Sequence, residues 1–231
     1  MAEVKNIAAE AVAENIEDKK NPNTEAAENT ADQQTRQKIA VVFGKPYVFE
    51  DKEYPEIDLS DLDKLTVQDA IDTQRQLFGE QEVAASVLCE TTTAFARNIA
   101  AKASGLPIEF FKLLPRGAMK RIVVVVRNYL NADGETMNHV MPLEQTYHYK
   151  GKDYKDIDLN GVADLNSLHE SEAENRLARA GFVVTENSTN YLYACVIASM
   201  ATGLPEEFFT GLPLCEVIKL KNSVNDAGFF E

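Results

Sequence analysis

The sequence carries one pattern of residues twice, and this duplication constrains the fold more than any other feature. Residues 47–59 reappear as residues 147–159, which is an offset of 100. Residues 105–115 reappear as residues 203–213 at an offset of 98, so the second copy has lost two residues in between. Two ordered blocks in one register indicate a tandem duplication, and each copy is expected to build the same unit.

Each copy opens with a pattern typical of a β-hairpin. In the second copy, short alternating stretches flank a Lys150-Gly151-Lys152 turn. The first copy has Glu50-Asp51-Lys52 at the same place, which is a weaker turn signal because it lacks glycine. The apolar run over residues 39–43 is a candidate for an additional strand upstream of the first hairpin.

Three or four helices are expected after each hairpin. Thr66 and Asn166 are candidate N-caps of a first helix that ends near Gly79 and Gly181 in the two copies. The second helix is expected to stop at a glycine in the left-handed conformation, and a Pro-x-x-Phe-Phe stretch then forms a short helix between two proline breaks. This structural motif comprises Gly105, Leu106, Pro107, Leu114 and Pro115, with the counterparts Gly203, Leu204, Pro205, Leu212 and Pro213.

A comparison of the two copies also assigns the last helix. Residues 122–126 are β-branched and in isolation would favour a strand. Their counterparts, residues 220–224, include lysine, asparagine and serine, which do not make a strand core. Met119, Ile122 and Val126 also recur at helical spacing, so a helix is predicted in both copies.

The predicted fold class is therefore α+β and mainly α. It consists of two tandem homologous domains, each a short β-hairpin followed by three or four helices. Repeat 1 spans residues 39–130 and repeat 2 spans residues 146–231, with a polar linker over residues 131–145. Residues 1–38 contain no aromatic residue, so a disordered acidic arm is expected there, with a partner-docking helix as the alternative. The sequence leaves open whether the two repeats pack on each other.

The charge balance argues against several classes of partner. The chain has 37 acidic and 23 basic residues and a net charge of −14, which argues against binding to nucleic acid or to an anionic membrane. No apolar run approaches the ~20 residues that span a bilayer, and the N-terminus lacks the profile of a signal peptide. Cys89, Cys195 and Cys215 form no C-x-x-C pair, which is typical of a reducing compartment. A cytoplasmic protein is expected.

No enzymatic constellation is recognisable, and we predict a non-enzymatic protein without catalytic residues, cofactor or metal. The chain lacks the glycine motifs that bind phosphates and dinucleotides, and it lacks the G-x-S-x-G nucleophile motif. His139, His148 and His169 lie in three different segments, and none has a His, Cys or carboxylate partner at ligand spacing. The cysteines are expected to be buried and inert.

Two carboxylate positions recur in both copies. Asp58 and Asp158 precede a leucine at a strand exit, where a turn or cap role is expected. Glu109 and Glu207 follow a proline in a first helical turn, where they complement the helix dipole. Nothing else titratable recurs beside these carboxylates, so a structural role is favoured over acid–base catalysis.

Two pairs of adjacent phenylalanines, Phe110-Phe111 and Phe208-Phe209, are the candidate partner-binding residues. Neighbouring residues on a short helix cannot both face one core, so one ring of each pair is expected to meet a neighbouring helix or a partner. The alternative is that both rings pack in the core from two sides. The exposed side of the last two helices of each copy is the expected contact face.

In order and spacing, these motifs resemble the small tail assembly chaperones of long-tailed bacteriophages. The shared pattern runs from Tyr-x-Phe/Tyr through Lys-x-Tyr-x-x-Ile-Asp-Leu to Gly-Leu-Pro-x-Glu-Phe-Phe-x-x-Leu-Pro, and it covers residues 45–130 and 145–230. The resemblance implies a non-enzymatic protein that binds and solubilises the tape measure protein and helps to recruit tail tube subunits. It also implies action in the host cytoplasm and absence from the mature virion.

The chain departs from the usual pattern of that family, because many members have a single domain and here two units lie in one frame. The first helices of the two copies also differ, since Val67 and Ile71 correspond to Ser167 and Ser171. We infer that the copies have diverged in partner or in packing. The alternative function is a structural component of the virion, in the tail or the head–tail region.

Overall fold

The structure, a computed structural model, describes residues 38–81, 88–131, 136–182 and 186–229. The protein is mainly helical, with two small antiparallel β-hairpins that are each followed by helices, as the sequence predicts. The expected disordered arm lies outside the described residues, apart from its last residue, Lys38.

Both repeats contain the same elements in the same order. In repeat 1 these are β1 (Ala40–Phe49), β2 (Lys52–Asp58), α1 (Val67–Gly79), α2 (Thr93–Ser104), α3 (Ile108–Leu113) and α4 (Arg116–Leu130). In repeat 2 they are β3 (Val140–Tyr149), β4 (Lys152–Asp158), α5 (Ser167–Arg179), α6 (Tyr191–Thr202), α7 (Glu206–Thr210) and α8 (Val217–Val224). Within the described residues, each repeat therefore consists of one hairpin and four α-helices, with short 3-10 helices in the connecting segments.

The hairpins are longer than the sequence indicated. β1 pairs with β2, and the register shifts between Val42 and Tyr47, while β3 and β4 repeat this irregularity between Pro142 and Tyr147. The run over residues 39–43 is therefore no separate strand, because all but its first residue belong to β1 and pair with the end of β2 or lie in the shift. By the same extension, β3 begins inside the stretch that was predicted to be a linker.

The turn of each hairpin places two consecutive residues at positive φ, as a two-residue hairpin turn requires. Lys150 and Gly151 adopt φ values of 47° and 77° in repeat 2. Glu50 and Asp51 adopt 47° and 60° in repeat 1 without a glycine. The turn therefore forms in both repeats, although repeat 1 bears the steric cost of two side chains in the left-handed region.

The predicted helix boundaries are confirmed where the motif is repeated. Thr66 and Asn166 are the N-caps of α1 and α5, each within a capping box. Gly105 and Gly203 end α2 and α6 in the left-handed conformation, with φ values of 67° and 70°. Residues 122–126 are helical within α4, so the comparison of the copies overrides their β-branched composition correctly.

The two repeats pack against each other within one compact unit, Gln37–Glu231. The extended residues before α1 pair with the Leu-Pro motif that precedes α8. The Val67 N–H donates to the carbonyl oxygen of Leu212, and the Leu214 N–H donates to the carbonyl oxygen of Leu65, both over 2.9 Å. This contact answers the question that the sequence leaves open, because the start of α1 joins repeat 1 to repeat 2.

A buried side chain of α1 completes the contact between the repeats. The Gln74 Nε2 donates to the carbonyl oxygen of Thr189 at 3.0 Å, and its Oε1 accepts from the Tyr191 N–H at 3.1 Å. The Tyr191 hydroxyl donates to Glu90 Oε2 at 2.8 Å, and Lys221 pairs with the same carboxylate. Because a buried polar group is costly without a hydrogen bond, this network favours one arrangement of the repeats over others.

Candidate interaction surface

The three cysteines lack the properties of a nucleophile. Cys89 and Cys195 are buried, and Cys215 is half-buried. Burial raises the pKa of the Cys89 and Cys195 thiols, and it raises the pKa of Cys215 to about 12. All three thiols are therefore protonated near neutral pH, and a protonated thiol is a poor nucleophile.

The three histidines lie apart, and each has a local partner. The Asn166 N–H donates to His169 Nδ1 at 3.1 Å in the cap of α5, and His139 stacks on an aromatic ring near the C-terminus. His148 contacts the Asp153 carboxylate, because the β3–β4 register places the two side by side. Among the described residues, no group of three or more His, Cys, Asp or Glu is arranged to hold a metal ion.

The recurring carboxylates have structural partners in both repeats. Asp58 and Asp158 each accept a hydrogen bond from the backbone N–H two residues later, at 2.8 and 2.9 Å. Hydrogen bonds from that residue lower the pKa of both carboxyls. Glu109 and Glu207 lie in the first turns of α3 and α7. These positions match the turn and helix-dipole roles that the sequence indicates.

The phenylalanine pairs lie in the core and not on a partner surface. Phe110, Phe111, Phe208 and Phe209 are at most 1% exposed. The rings of Tyr47, Phe49 and Tyr54 surround Phe110 with centroid distances of 5.1, 5.3 and 4.9 Å, and those of Tyr147, Tyr149 and Tyr154 surround Phe208 at 5.2, 5.2 and 4.7 Å. The hairpin covers the side of the short helix that sequence reasoning assigned to a partner, so the core-packing alternative describes these residues.

The Leu-Pro part of the repeated motif has different surroundings in the two repeats. Leu212 and Pro213 are covered by the residues that precede α1. In repeat 1, Leu114 is buried but Pro115 is exposed, and the neighbouring Leu113 is 69% exposed. Repeat 1 therefore presents an apolar side chain at the place where repeat 2 receives α1.

An apolar groove lies between β1 and α4 on the surface of repeat 1, and we call it the β1–α4 groove. It has a volume of about 420 Å³ and is lined by Ala40, Val41, Val42, Lys120, Arg121, Val124 and Val125. Val42 and Val124 are 60% and 55% exposed, so the groove shows β-branched side chains to solvent. The Arg121 Nη1 donates to the carbonyl oxygen of Val42 at 2.8 Å, which ties α4 to β1.

The corresponding place in repeat 2 holds an ion-pair cluster. The buried Lys219, which is the counterpart of Arg121, donates to the carbonyl oxygen of Pro142 at 3.0 Å. Its Nζ lies 3.2 Å from Glu144 Oε1 and 3.3 Å from Glu216 Oε2. The Glu144 N–H donates to Glu216 Oε1 at 2.7 Å. Burial raises the pKa of Glu216 even though the Glu144 N–H and Lys219 oppose that shift.

Sequence reasoning missed the equivalence of Arg121 and Lys219. Both side chains donate from the last helix to a carbonyl oxygen on the first strand of their own repeat. The signal was available, because the two basic residues lie 98 positions apart in the register that relates the motifs. The expected contact face, on the last two helices of each repeat, includes α4 and therefore one wall of the β1–α4 groove.

Comparison with known proteins does not extend this description. The chain matches no protein-family model, no curated protein and no solved structure. Among the helices in the described ranges, none is long and apolar enough to cross a membrane.

Proposed function

We propose that this chain is a non-enzymatic assembly chaperone of a bacteriophage tail. In this proposal it acts in the host cytoplasm, binds and solubilises the tape measure protein, and helps to recruit tail tube subunits before it leaves the particle. The two repeats are then homologous copies of one chaperone domain. The order and spacing of the repeated motifs support the proposal, since they resemble that family over most of both repeats.

The observation that carries the proposal is the set of exposed apolar side chains on repeat 1. Val42 and Val124, which line the β1–α4 groove together, are each more than half exposed. Contiguous exposed apolar surface is typical of interaction sites, and a strongly acidic chain stays soluble while it covers an apolar partner. A chaperone for a long apolar helix needs both properties.

The test is co-expression with the long, helix-rich reading frame next to the gene. We expect this chain to move most of the long protein into the soluble fraction and to co-purify with it. The control is an unrelated acidic protein of similar size and net charge, which shows whether charge alone solubilises the partner. An insoluble and unbound long protein would contradict the proposal.

Mass spectrometry of mature particles separates the chaperone from the virion component. We expect the chain to be absent from purified particles and present in lysates of infected cells. Recovery of the chain from particles in fixed ratio to the tail tube subunit would instead favour a structural component of the tail.

A further inference from the structure

The β1–α4 groove contains a cation whose counterpart in repeat 2 is neutralised within the chain. Lys219 has two carboxylates beside it, Glu144 and Glu216. The corresponding positions of repeat 1 are Gly44 and Ala118, so repeat 1 supplies neither carboxylate to Arg121. Among the described residues, no carboxylate forms an ion pair with Arg121, which is exposed.

The apolar residues of the groove are also replaced by polar residues in repeat 2. Val124 and Val125 of α4 correspond to Asn222 and Ser223 of α8. Ser223 is buried and shares a hydrogen bond with Thr136, from the segment that precedes β3. In repeat 2 the Ser223–Thr136 hydrogen bond covers this place with polar groups of the same chain, whereas repeat 1 leaves Val124 exposed and Val125 half-buried there.

We propose that the β1–α4 groove binds an apolar protein segment that also carries a carboxylate, with the apolar side chains against Val42 and Val124 and the carboxylate against Arg121. The inference rests on the proposed function, because it gives the apolar partner a contact site on repeat 1. A groove volume of about 420 Å³ lies in the size range of pockets that hold small ligands or side-chain anchors. The chain as a whole is acidic, so the groove selects a carboxylate by local contact and not by overall charge.

The chemistry of the groove defines what the segment must look like. A guanidinium pairs with a carboxylate through two parallel N–H donors, and the neighbouring Lys120 adds a second positive charge at the rim. An amphipathic helix places an apolar side chain and a carboxylate three or four residues apart on one face. A segment of this kind fills the apolar floor and supplies the charge that Gly44 and Ala118 do not.

Two labelled peptides test the proposal on the full chain by fluorescence anisotropy. The first is an 18-residue amphipathic helix with leucine on one face and glutamate beside it, and the second has glutamine in place of each glutamate. We expect the glutamate peptide to bind roughly fivefold more tightly, as for a partly exposed ion pair. We expect Arg121→Gln to abolish this difference, since glutamine is polar but carries no charge.

Matched variants in the two repeats separate a groove effect from an effect of charge. Val124→Asp is expected to weaken both peptides by about tenfold or more, because it places a carboxylate on the apolar floor. Asn222→Asp makes the same side chain at the counterpart position of repeat 2 and is expected to change neither affinity. Lys112→Glu controls for a charge change at an exposed lysine of repeat 1 outside the groove. Equal effects of Val124→Asp and Asn222→Asp, or no binding of either peptide, would overturn the proposal.

A photo-crosslinking amino acid at position 124 identifies the occupant when the long helix-rich protein is co-expressed. Crosslinks to an apolar, carboxylate-bearing segment of that protein support the inference. If the long protein is bound but position 124 crosslinks only to residues 1–37 of the same chain or to a second copy, the inference is overturned and the proposed function stands. If the peptides bind as expected and the long protein does not, the proposed function fails, and the inference that the groove binds an apolar segment with a carboxylate stands.

Discussion

Repeat 1 and repeat 2 share their elements and their core motifs, but they differ where the last helix meets the first strand. The last helix of repeat 2 is bound to its first strand by the Lys219 cluster, and the corresponding helix of repeat 1 leaves an apolar groove there. The same fold therefore has this surface filled by its own side chains in repeat 2 and leaves it exposed to solvent in repeat 1. A duplication has this consequence when the core keeps its residues and the surface is free to change.

The first helices of the two repeats also differ, but here the helix of repeat 1 is the packed one and the helix of repeat 2 is the exposed one. α1 buries Val67, Ile71 and Gln74, and its start is hydrogen-bonded to repeat 2. α5 is mostly polar and exposed, and its Leu168 is 78% exposed. The inferred divergence of the two copies is therefore a divergence in packing.

The aromatic cages of the hairpins are the feature in which the repeats are most alike, so equal damage is expected from Phe110→Ala and Phe208→Ala. Each variant removes a fully buried ring that contacts three aromatic rings of the hairpin and the adjacent phenylalanine, at a cost of about 3–5 kcal/mol in the free energy of unfolding. Urea unfolding of both variants measures the two costs. A difference of more than about 2 kcal/mol between them would show that the two hairpins are not equivalent supports of the core.

The contact between the repeats is expected to depend on α1 and not on α5. Gln74→Ala leaves the half-buried carbonyl oxygen of Thr189 and the buried Tyr191 N–H without a partner, which costs roughly 2–4 kcal/mol. Its counterpart Glu174 bonds Asn187 at an exposed site, so Glu174→Ala is expected to change stability by less than about 0.5 kcal/mol. Urea unfolding compares the two variants, and similar costs would contradict the packing described for α1.

The glycines that end α2 and α6 are expected to respond alike to substitution. Gly105→Ala and Gly203→Ala each place a Cβ in the left-handed region, which costs about 1–2 kcal/mol. No atom lies within 4 Å of the added Cβ at either position, so backbone conformation alone sets the cost. Gly117→Ala, within α4 and equally open, is the control and is expected to be neutral or slightly stabilising. Thermal or urea unfolding distinguishes these outcomes.

The secondary structure could be predicted from the sequence because each repeat resolved ambiguities in the other. Taken by itself, the β-branched run of α4 favours a strand. The comparison with its polar counterpart in α8 favours a helix, which is what the structure has. The extension of the hairpins could not be predicted in this way. Gly44 and Pro46 interrupt the alternation where the β1–β2 register shifts, so the residues before them looked like a separate strand.

The surface was less predictable than the fold, because it depends on contacts between residues that are far apart in the chain. The hairpin covers Phe110 and Phe208 through rings that lie more than fifty positions earlier, and no local pattern reports this. The sequence does show that Arg121 and Lys219 are basic residues in the same register of the two repeats. What the sequence could not show is that Glu144 and Glu216 meet at Lys219 in repeat 2, since they belong to different elements.

The smallest expected effect is a pH dependence that repeat 2 has and repeat 1 lacks, because Glu216 has Ala118 as its counterpart. Burial raises the pKa of Glu216 in the folded chain above its ordinary value of 4.5. The folded state then holds this proton more tightly than the unfolded state does. The contribution of Glu216 to stability is therefore fully present below pH 4.5 and declines as the pH rises through the folded pKa.

Glu216→Gln removes this titration and keeps an oxygen that accepts from the Glu144 N–H. We expect the free energy of unfolding of the variant, relative to the unchanged chain, to increase as the pH rises from 4.5 to 7. Lys219 limits the effect, because it loses one of two carboxylate neighbours and keeps Glu144 and the carbonyl oxygen of Pro142. Urea unfolding of both chains at several pH values measures the trend. A difference that stays constant or shrinks with rising pH would mean that the cluster stabilises the Glu216 carboxylate enough to offset its burial.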